Sequence, residues 1–152
     1  MRVASGVFAL FLLIGFASLS YAEDDLKITL LDSKDGHSLH GKLVCISFPI
    51  SSANSPVVER ARDCRRTDSG GTASFSLPDP APDTIEIRLA SNGLVECFGH
   101  RSFALIDAME AGVVAKNTCG EASTDTTQSG EVVLFAHQTS LWQALRSHND
   151  EF

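Results

Sequence analysis

A tight turn followed by strict alternation of apolar and polar residues constrains the fold of this chain more than any other feature. The turn, Asp68-Ser69-Gly70-Gly71, combines side chains that can hydrogen-bond their own backbone with glycines that tolerate positive φ. In residues 73–77, Ala, Phe and Leu occupy every second position and serines stand between them. This is the pattern of a β-strand with one buried face. Residues 84–89 repeat the alternation after a proline-rich loop, so the chain is predicted to be built from short strands.

The same reasoning extends over the rest of the chain and predicts six or seven short strands with turns between them. The predicted strands are residues 26–30, 41–48, 73–77, 84–89, 94–98 and 131–136, with a shorter one at 113–115. Residues 49–63 and 121–130 are predicted to be loops, and loops of this kind carry recognition on such scaffolds. Residues 107–112 are predicted to form a short helical turn, and residues 141–146 a short C-terminal helix that buries Leu141, Trp142 and Leu145. The fold class predicted from this order is all-β, an antiparallel Ig-like or prealbumin-like β-sandwich.

The first 22 residues have the features of a secretory signal peptide. Arg2 is the only charge before an apolar run of about 14 residues, shorter than the roughly 20 that a membrane-spanning helix needs. The run ends with the small residues Ser20 and Ala22, which predicts cleavage after Ala22. We therefore expect a single β-sandwich domain over residues 23–152, secreted or periplasmic, with no transmembrane span after cleavage.

The charge balance limits the possible partners. The whole chain has a formal net charge of −7, and removal of Arg2 leaves 11 basic and 19 acidic residues, a net charge of −8. This balance opposes nucleic-acid binding, which depends on Lys and Arg at the phosphates. The one basic group contains Arg60, Arg62, Arg65 and Arg66. These arginines either bind an anionic ligand such as a sugar acid or, as is more common, pair with acidic neighbours on a solvated surface.

The chain has four cysteines, Cys45, Cys64, Cys97 and Cys119, all after the predicted cleavage site. An even number of cysteines in an exported protein indicates disulfide bonds. Three pairings are possible, and we favour Cys45–Cys64 and Cys97–Cys119 because each closes a loop of about 20 residues between neighbouring elements. A zinc site is the alternative, but the chain has no Cys-x-x-Cys motif.

One segment resembles a known family. A strand containing Gly41-Lys42-Leu43-Val44-Cys45-Ile46 precedes Thr67-Asp68-Ser69-Gly70-Gly71-Thr72-Ala73-Ser74-Phe75-Ser76-Leu77-Pro78. This order is similar to the turn-and-strand core of carboxypeptidase regulatory-like domains, which belong with the transthyretin-like (prealbumin-like) sandwiches. The resemblance covers about residues 26–89. It implies an extracytoplasmic module that supports, positions or binds other molecules.

Several activities of related sandwiches do not fit the residues present. An intradiol-dioxygenase-like iron site needs tyrosine ligands, and the only tyrosine is Tyr21 in the predicted signal peptide. The serine-nucleophile motif Gly-x-Ser-x-Gly is absent. The leading hypothesis is an exported, non-enzymatic module without a cofactor, with a binding or structural role toward a protein or glycan. The alternative is a small exported metal-dependent protein or enzyme that uses His37, His40 and His100.

Overall fold

The computed structural model describes residues 25–50 and 59–139. The predicted signal peptide and the predicted C-terminal helix lie outside these residues. The elements, in chain order, are β1 (Asp25–Asp32), β2 (Leu43–Ile50), β3 (Glu59–Arg66), β4 (Thr72–Ser76), β5 (Thr84–Leu89), β6 (Leu94–Glu96), β7 (Ser102–Ala104), α1 (Leu105–Glu110), β8 (Val113–Val114) and β9 (Glu131–Gln138).

The strands form two sheets, so the prediction of an all-β sandwich is confirmed. The first sheet has the order β4-β1-β9-β6, with β8 also beside β9, and the second has the order β3-β2-β5-β7. All pairs in the second sheet are antiparallel. In the first sheet, β1 and β8 both run parallel to β9. The expectation of a purely antiparallel sandwich is therefore wrong for this sheet, because alternation identifies a strand but not the direction of its partner.

The hydrophobic core lies between the two sheets and joins them into one unit. The alternating strands predicted from the sequence supply it, and Phe75 on β4 is fully buried. Burying a side chain of this size stabilises the fold by about 1.5–3 kcal/mol. β9 is buried on both faces: Leu134 faces the core, and Phe135 is covered by the segment that follows β8. The other core residues include Leu26, Ile28, Leu30, Val44, Ile46, Ile85, Ile87 and Val132.

The predicted turn at the start of β4 is present. Gly71 adopts a φ of +79°. Asp68 Oδ1 accepts hydrogen bonds from the backbone N–H groups of Gly70 and Thr72, at 2.8 and 2.9 Å. The Asp68 carboxylate therefore accepts hydrogen bonds from the turn backbone, as the sequence predicts, and stabilises the turn that precedes β4.

Residues 49–50 belong to β2 and residues 59–63 to β3, so their prediction as loop is wrong. β3 has the sequence Glu-Arg-Ala-Arg-Asp-Cys-Arg-Arg, with none of the β-branched and aromatic residues that mark strands. Among the described strands it pairs with β2 alone, at the edge of its sheet, where charged side chains reach water on both sides. Residues 51–58 of the same predicted loop lie outside the described part of the chain.

The predicted helical turn is present and begins two residues earlier than expected. α1 runs over Leu105–Glu110 and buries Leu105 and Ala108 against the core. Gly112 follows with a φ of +75°, in keeping with its predicted role at the end of the helix. Among the described residues, no helix is both long enough and apolar enough to cross a membrane.

Candidate functional site

The outer side of the second sheet carries a concentration of arginine side chains. β3 places Arg60, Arg62 and Arg66 on one side, because side chains two residues apart on a strand share a face. Arg88 of β5 lies opposite Cys45 of β2, and Cys45 lies opposite Cys64 of β3. Directly opposed residues share a face, so Arg88 projects on the same side as the arginines of β3. These four arginines are termed the arginine face. The sequence grouped three of them but missed Arg88, which is distant along the chain.

A shallow trough crosses this face between the side chains of β3 and those of β5. Its floor consists of Cys45 and Ser47 of β2, which alternate with the buried Val44 and Ile46. The two flanking strands are about 10 Å apart, because each lies one strand spacing from β2. The trough includes a pocket of about 270 Å³, lined by Cys45, Ile46, Ser47, Arg60, Arg62, Glu86 and Arg88.

Glu86 is the acidic side chain on the wall of this pocket, and it holds two of the arginines. Arg88 Nε donates to Glu86 Oε1 at 2.9 Å, and Arg60 contacts the other carboxylate oxygen. The hydrogen bond from Arg88, and then that from Arg60, hold the pKa of Glu86 below its ordinary value. Both arginine side chains remain more than half exposed, so they stay within reach of a ligand.

The other two arginines of the face have no carboxylate partner among the described side chains. Arg62 Nη2 donates to Cys45 Sγ at 3.3 Å, and Arg66 Nη1 donates to the carbonyl oxygen of Gly41 at 2.9 Å. Among the described side chains, the face therefore combines four positive charges with one negative charge, that of Glu86. In a protein of net charge −7, this is a local positive field that attracts anions.

Arg65 does not belong to the face, although the sequence grouped it with the other arginines of β3. It projects from the opposite side of the strand, and its Nε lies 3.1 Å from Asp63 Oδ2. Within the basic group, pairing with an acidic neighbour is confirmed for Arg60 and Arg65. Arg62 and Arg66 have no carboxylate partner among the described side chains, and binding of an anionic ligand by them stays a prediction.

Two disulfides are present, as the cysteine count predicts. They join Cys45 to Cys64 and Cys97 to Cys119, which are the sequential pairs. The first links directly opposed residues of β2 and β3, so it fixes one side of the trough. The second joins the residue after β6 to the loop that follows β8.

The three histidines proposed as weak metal candidates are not gathered into a metal-binding group. His37 is 83% exposed and its Nδ1 lies 3.0 Å from Asp35 Oδ1. His100 Nδ1 lies 2.9 Å from the carbonyl oxygen of Ser102. Within residues 25–50 and 59–139, no three or more His, Cys, Asp or Glu residues, His40 included, are placed to hold a metal ion.

A larger cleft of about 770 Å³ lies beside β6, lined in part by Leu94, Phe98 and His100. Its acidic side chain, Glu96, accepts a hydrogen bond from the backbone N–H of Leu89 at 2.8 Å and one from Arg101 Nε at 2.6 Å. The charged groups of this cleft therefore satisfy each other. For this reason the arginine face is the better candidate site.

Comparison with protein-family models, with curated proteins and with solved structures finds no match to this chain. The resemblance of residues 26–89 to carboxypeptidase regulatory-like domains therefore stays a prediction.

The second predicted recognition loop is partly tied to the fold. In residues 121–130, the N–H of Ala122 donates to the carbonyl oxygen of Ser33, and the N–H of Gly130 donates to that of Ala108. Residues 131–136 also do not offer a free strand edge to a partner. β9 is paired with β1 on one side and with β6 and β8 on the other.

Proposed function

We propose that this protein is an exported, non-enzymatic binding module whose arginine face recognises an acidic glycan. The observation that carries the proposal is the set of four coplanar arginine positions around a shallow trough, two of them without a carboxylate partner among the described side chains. Planar guanidinium groups match carboxylate and sulfate groups and form paired hydrogen bonds with them. Two disulfides support an extracytoplasmic setting, since such bonds persist in oxidising compartments.

The spacing of the charges favours a sparsely charged polymer. Arg60 and Arg62 are two residues apart on β3, which separates their origins by about 6.6 Å. Double-stranded DNA carries one charge per about 1.7 Å. A uronic-acid polymer carries one charge per sugar ring, so its charges can be placed at the arginines. Its charge density is also low, which limits repulsion by the acidic remainder of the protein. The shallow trough suits a chain that lies along β2, over the arginine side chains.

The test is equilibrium binding of the purified protein to oligomers of polygalacturonate, with the fully methyl-esterified oligomers as the neutral control. We expect the acidic form to bind and the ester form to bind at least about tenfold more weakly, a difference of about 1.4 kcal/mol. Raising the ionic strength from about 0.15 M to about 1 M should abolish binding, since the screening length falls from about 8 to about 3 Å.

Two outcomes contradict the proposal. Equal binding of the acidic and esterified oligomers would mean that charge is not recognised. Tighter binding of single-stranded DNA than of polygalacturonate would assign the face to a nucleic acid instead.

A further inference from the structure

The disulfide on the arginine face has a positive charge beside one of its sulfur atoms. Arg62 Nη2 donates to Cys45 Sγ at 3.3 Å. Cys45 is almost fully buried beneath its neighbours, whereas Cys64 is exposed on the edge strand. A thiol arriving from solvent therefore meets Cys64 first, with Arg62 beside the sulfur that would leave.

The second disulfide has the opposite surroundings. Cys97 is fully buried, and its Sγ lies 3.5 Å from the carbonyl oxygen of Val95. Its partner Cys119 is exposed, so access alone does not distinguish the two bonds. A thiolate formed at Cys97 would be buried away from water, with the negative end of the Val95 carbonyl beside it. Such a charge is unfavourable because nothing compensates it.

We propose that Cys45–Cys64 is a thiol–disulfide exchange site for anionic thiols, and that Cys97–Cys119 is a structural bond. Exchange proceeds by attack of a thiolate on one sulfur while the other departs as a thiolate, and a stabilised departing thiolate leaves faster. A neighbouring arginine stabilises a thiolate. The proposal rests on the two sulfur environments and does not depend on glycan binding.

Complete reduction of the Cys45–Cys64 bond consumes two equivalents of the thiol. The incoming thiolate forms a bond to Cys64 Sγ, and the electron pair of the Cys45–Cys64 bond passes to Cys45 Sγ beside Arg62. The product is a mixed disulfide at Cys64 and a thiolate at Cys45. A second equivalent of thiol then attacks the mixed disulfide, which gives the dithiol protein and the oxidised form of the small thiol.

The positive charge of the arginine face favours one class of attacking thiol. The arginine face concentrates negatively charged molecules above Cys64, so a thiol that also carries carboxylates, such as reduced glutathione, gains over a neutral one. β2 and β3 remain paired over eight register positions, and this ladder is held by backbone hydrogen bonds. The reduced protein should therefore keep its sheet.

The experiment treats the native protein with reduced glutathione or with neutral 2-mercaptoethanol, traps free thiols by alkylation, and follows each cysteine by peptide mass spectrometry. We expect Cys45 and Cys64 to be labelled about tenfold faster than Cys97 and Cys119, on the scale by which a neighbouring cation promotes thiolate formation. The preference should be larger with glutathione than with the neutral thiol. Circular dichroism of the same samples establishes that the β-sheet is intact.

Three variants make the test specific. Arg62→Met should slow labelling of Cys45 and Cys64 several-fold, Arg62→Lys should restore most of the rate, and Arg65→Met should leave it unchanged because Arg65 lies on the other side of β3. Equal labelling of both cysteine pairs, earlier labelling of Cys97 and Cys119, or an unchanged rate in Arg62→Met would each overturn the proposal.

Discussion

The side-chain amide of Asn117 donates to the carbonyl oxygen of Ser33 at 2.7 Å, across a sequence separation of 84 residues. The same Nδ2 donates to the carbonyl oxygen of Ala122 at 2.9 Å, and Oδ1 accepts from the N–H groups of Cys119 and Gly120. One side chain thus satisfies four backbone groups. It holds the loop around Cys119 against the chain that leaves β1.

Asn117→Ala is expected to destabilise the protein by about 2–4 kcal/mol, since each lost hydrogen bond contributes about 1 kcal/mol. Urea unfolding followed by fluorescence or circular dichroism measures the change. Asn92→Ala, in an exposed turn, is the matched control and should change stability by less than about 0.5 kcal/mol. Equal effects of the two substitutions would show that the network around Asn117 contributes nothing.

The double variant Arg62→Ala/Arg66→Ala is expected to weaken binding of polygalacturonate oligomers about tenfold, or about 1.4 kcal/mol. These two arginines have no carboxylate partner among the described side chains, so a ligand can accept hydrogen bonds from them without displacing an acidic side chain. Arg65→Ala removes the same charge from the same strand but from its opposite side. If Arg65→Ala weakens binding as much as the double variant does, the interaction depends on net charge and not on the arginine face.

Glu86→Gln is expected to strengthen binding of a lightly sulfated dextran several-fold at neutral pH. The substitution removes the negative charge that Arg60 and Arg88 share, and sulfate esters remain ionised at every pH used. In the unsubstituted protein, acidification removes the same charge by protonation. Because the pKa of Glu86 is held below its ordinary value of 4.5, this happens only as the pH falls below 4.5.

The measurement is the ratio of the two affinities, that of Glu86→Gln over that of the unsubstituted protein, as a function of pH. The ratio should stay constant above pH 4.5 and approach one below it. Ionisation of Glu86 also makes the stability of the fold depend on pH, and the stability falls in the same acidic range. A lowered pKa means that the ionised carboxylate stabilises the fold above the unfolded-state value, and that this contribution is lost as the pH falls through the folded-state value. A ratio that changes near neutral pH would exclude Glu86 as the titrating group.

Gly71→Ala is expected to cost about 2–4 kcal/mol of stability, because two penalties act together. Gly71 has a φ of +79°, and an added Cβ would lie 2.9 Å from the carbonyl oxygen of Leu30. Gly41→Ala separates the penalties: its φ is +68°, but no heavy atom lies within 4 Å of an added Cβ. It should cost only about 1–2 kcal/mol, the penalty for the left-handed conformation. Thermal or urea unfolding of the two variants gives the comparison.

The strands that the sequence predicted well are those whose two faces differ. Residues 84–89 alternate because one side packs into the core while the other reaches solvent, and β5 has those bounds. β3 escaped prediction because it is an edge strand, so both of its sides can carry charge. Its one usable signal was Cys64, whose partner Cys45 already lay in a predicted strand.

The site was predictable only in part, for a reason of geometry. Arg60, Arg62, Arg65 and Arg66 are neighbours in sequence, but a strand sends successive side chains to opposite sides. The face therefore loses Arg65 and gains Arg88, which reaches it through the register of β2 with β5. Without strand order and register, no local pattern could have joined β5 to the basic group.

The parallel pairing of β1 with β9 also governs the order in which the fold can be assembled. During synthesis β1 emerges early, yet its inner neighbour β9 is the last strand of the described part of the chain. The hydrogen-bonded pairing of β1 with β9, on which the packing of Leu26, Ile28 and Leu30 depends, cannot form until β9 has been synthesised. Pairing between segments so distant in sequence is slow. A nascent chain that stops short of residue 131 would thus expose an unfinished sheet edge, which is where misassembly with other chains begins.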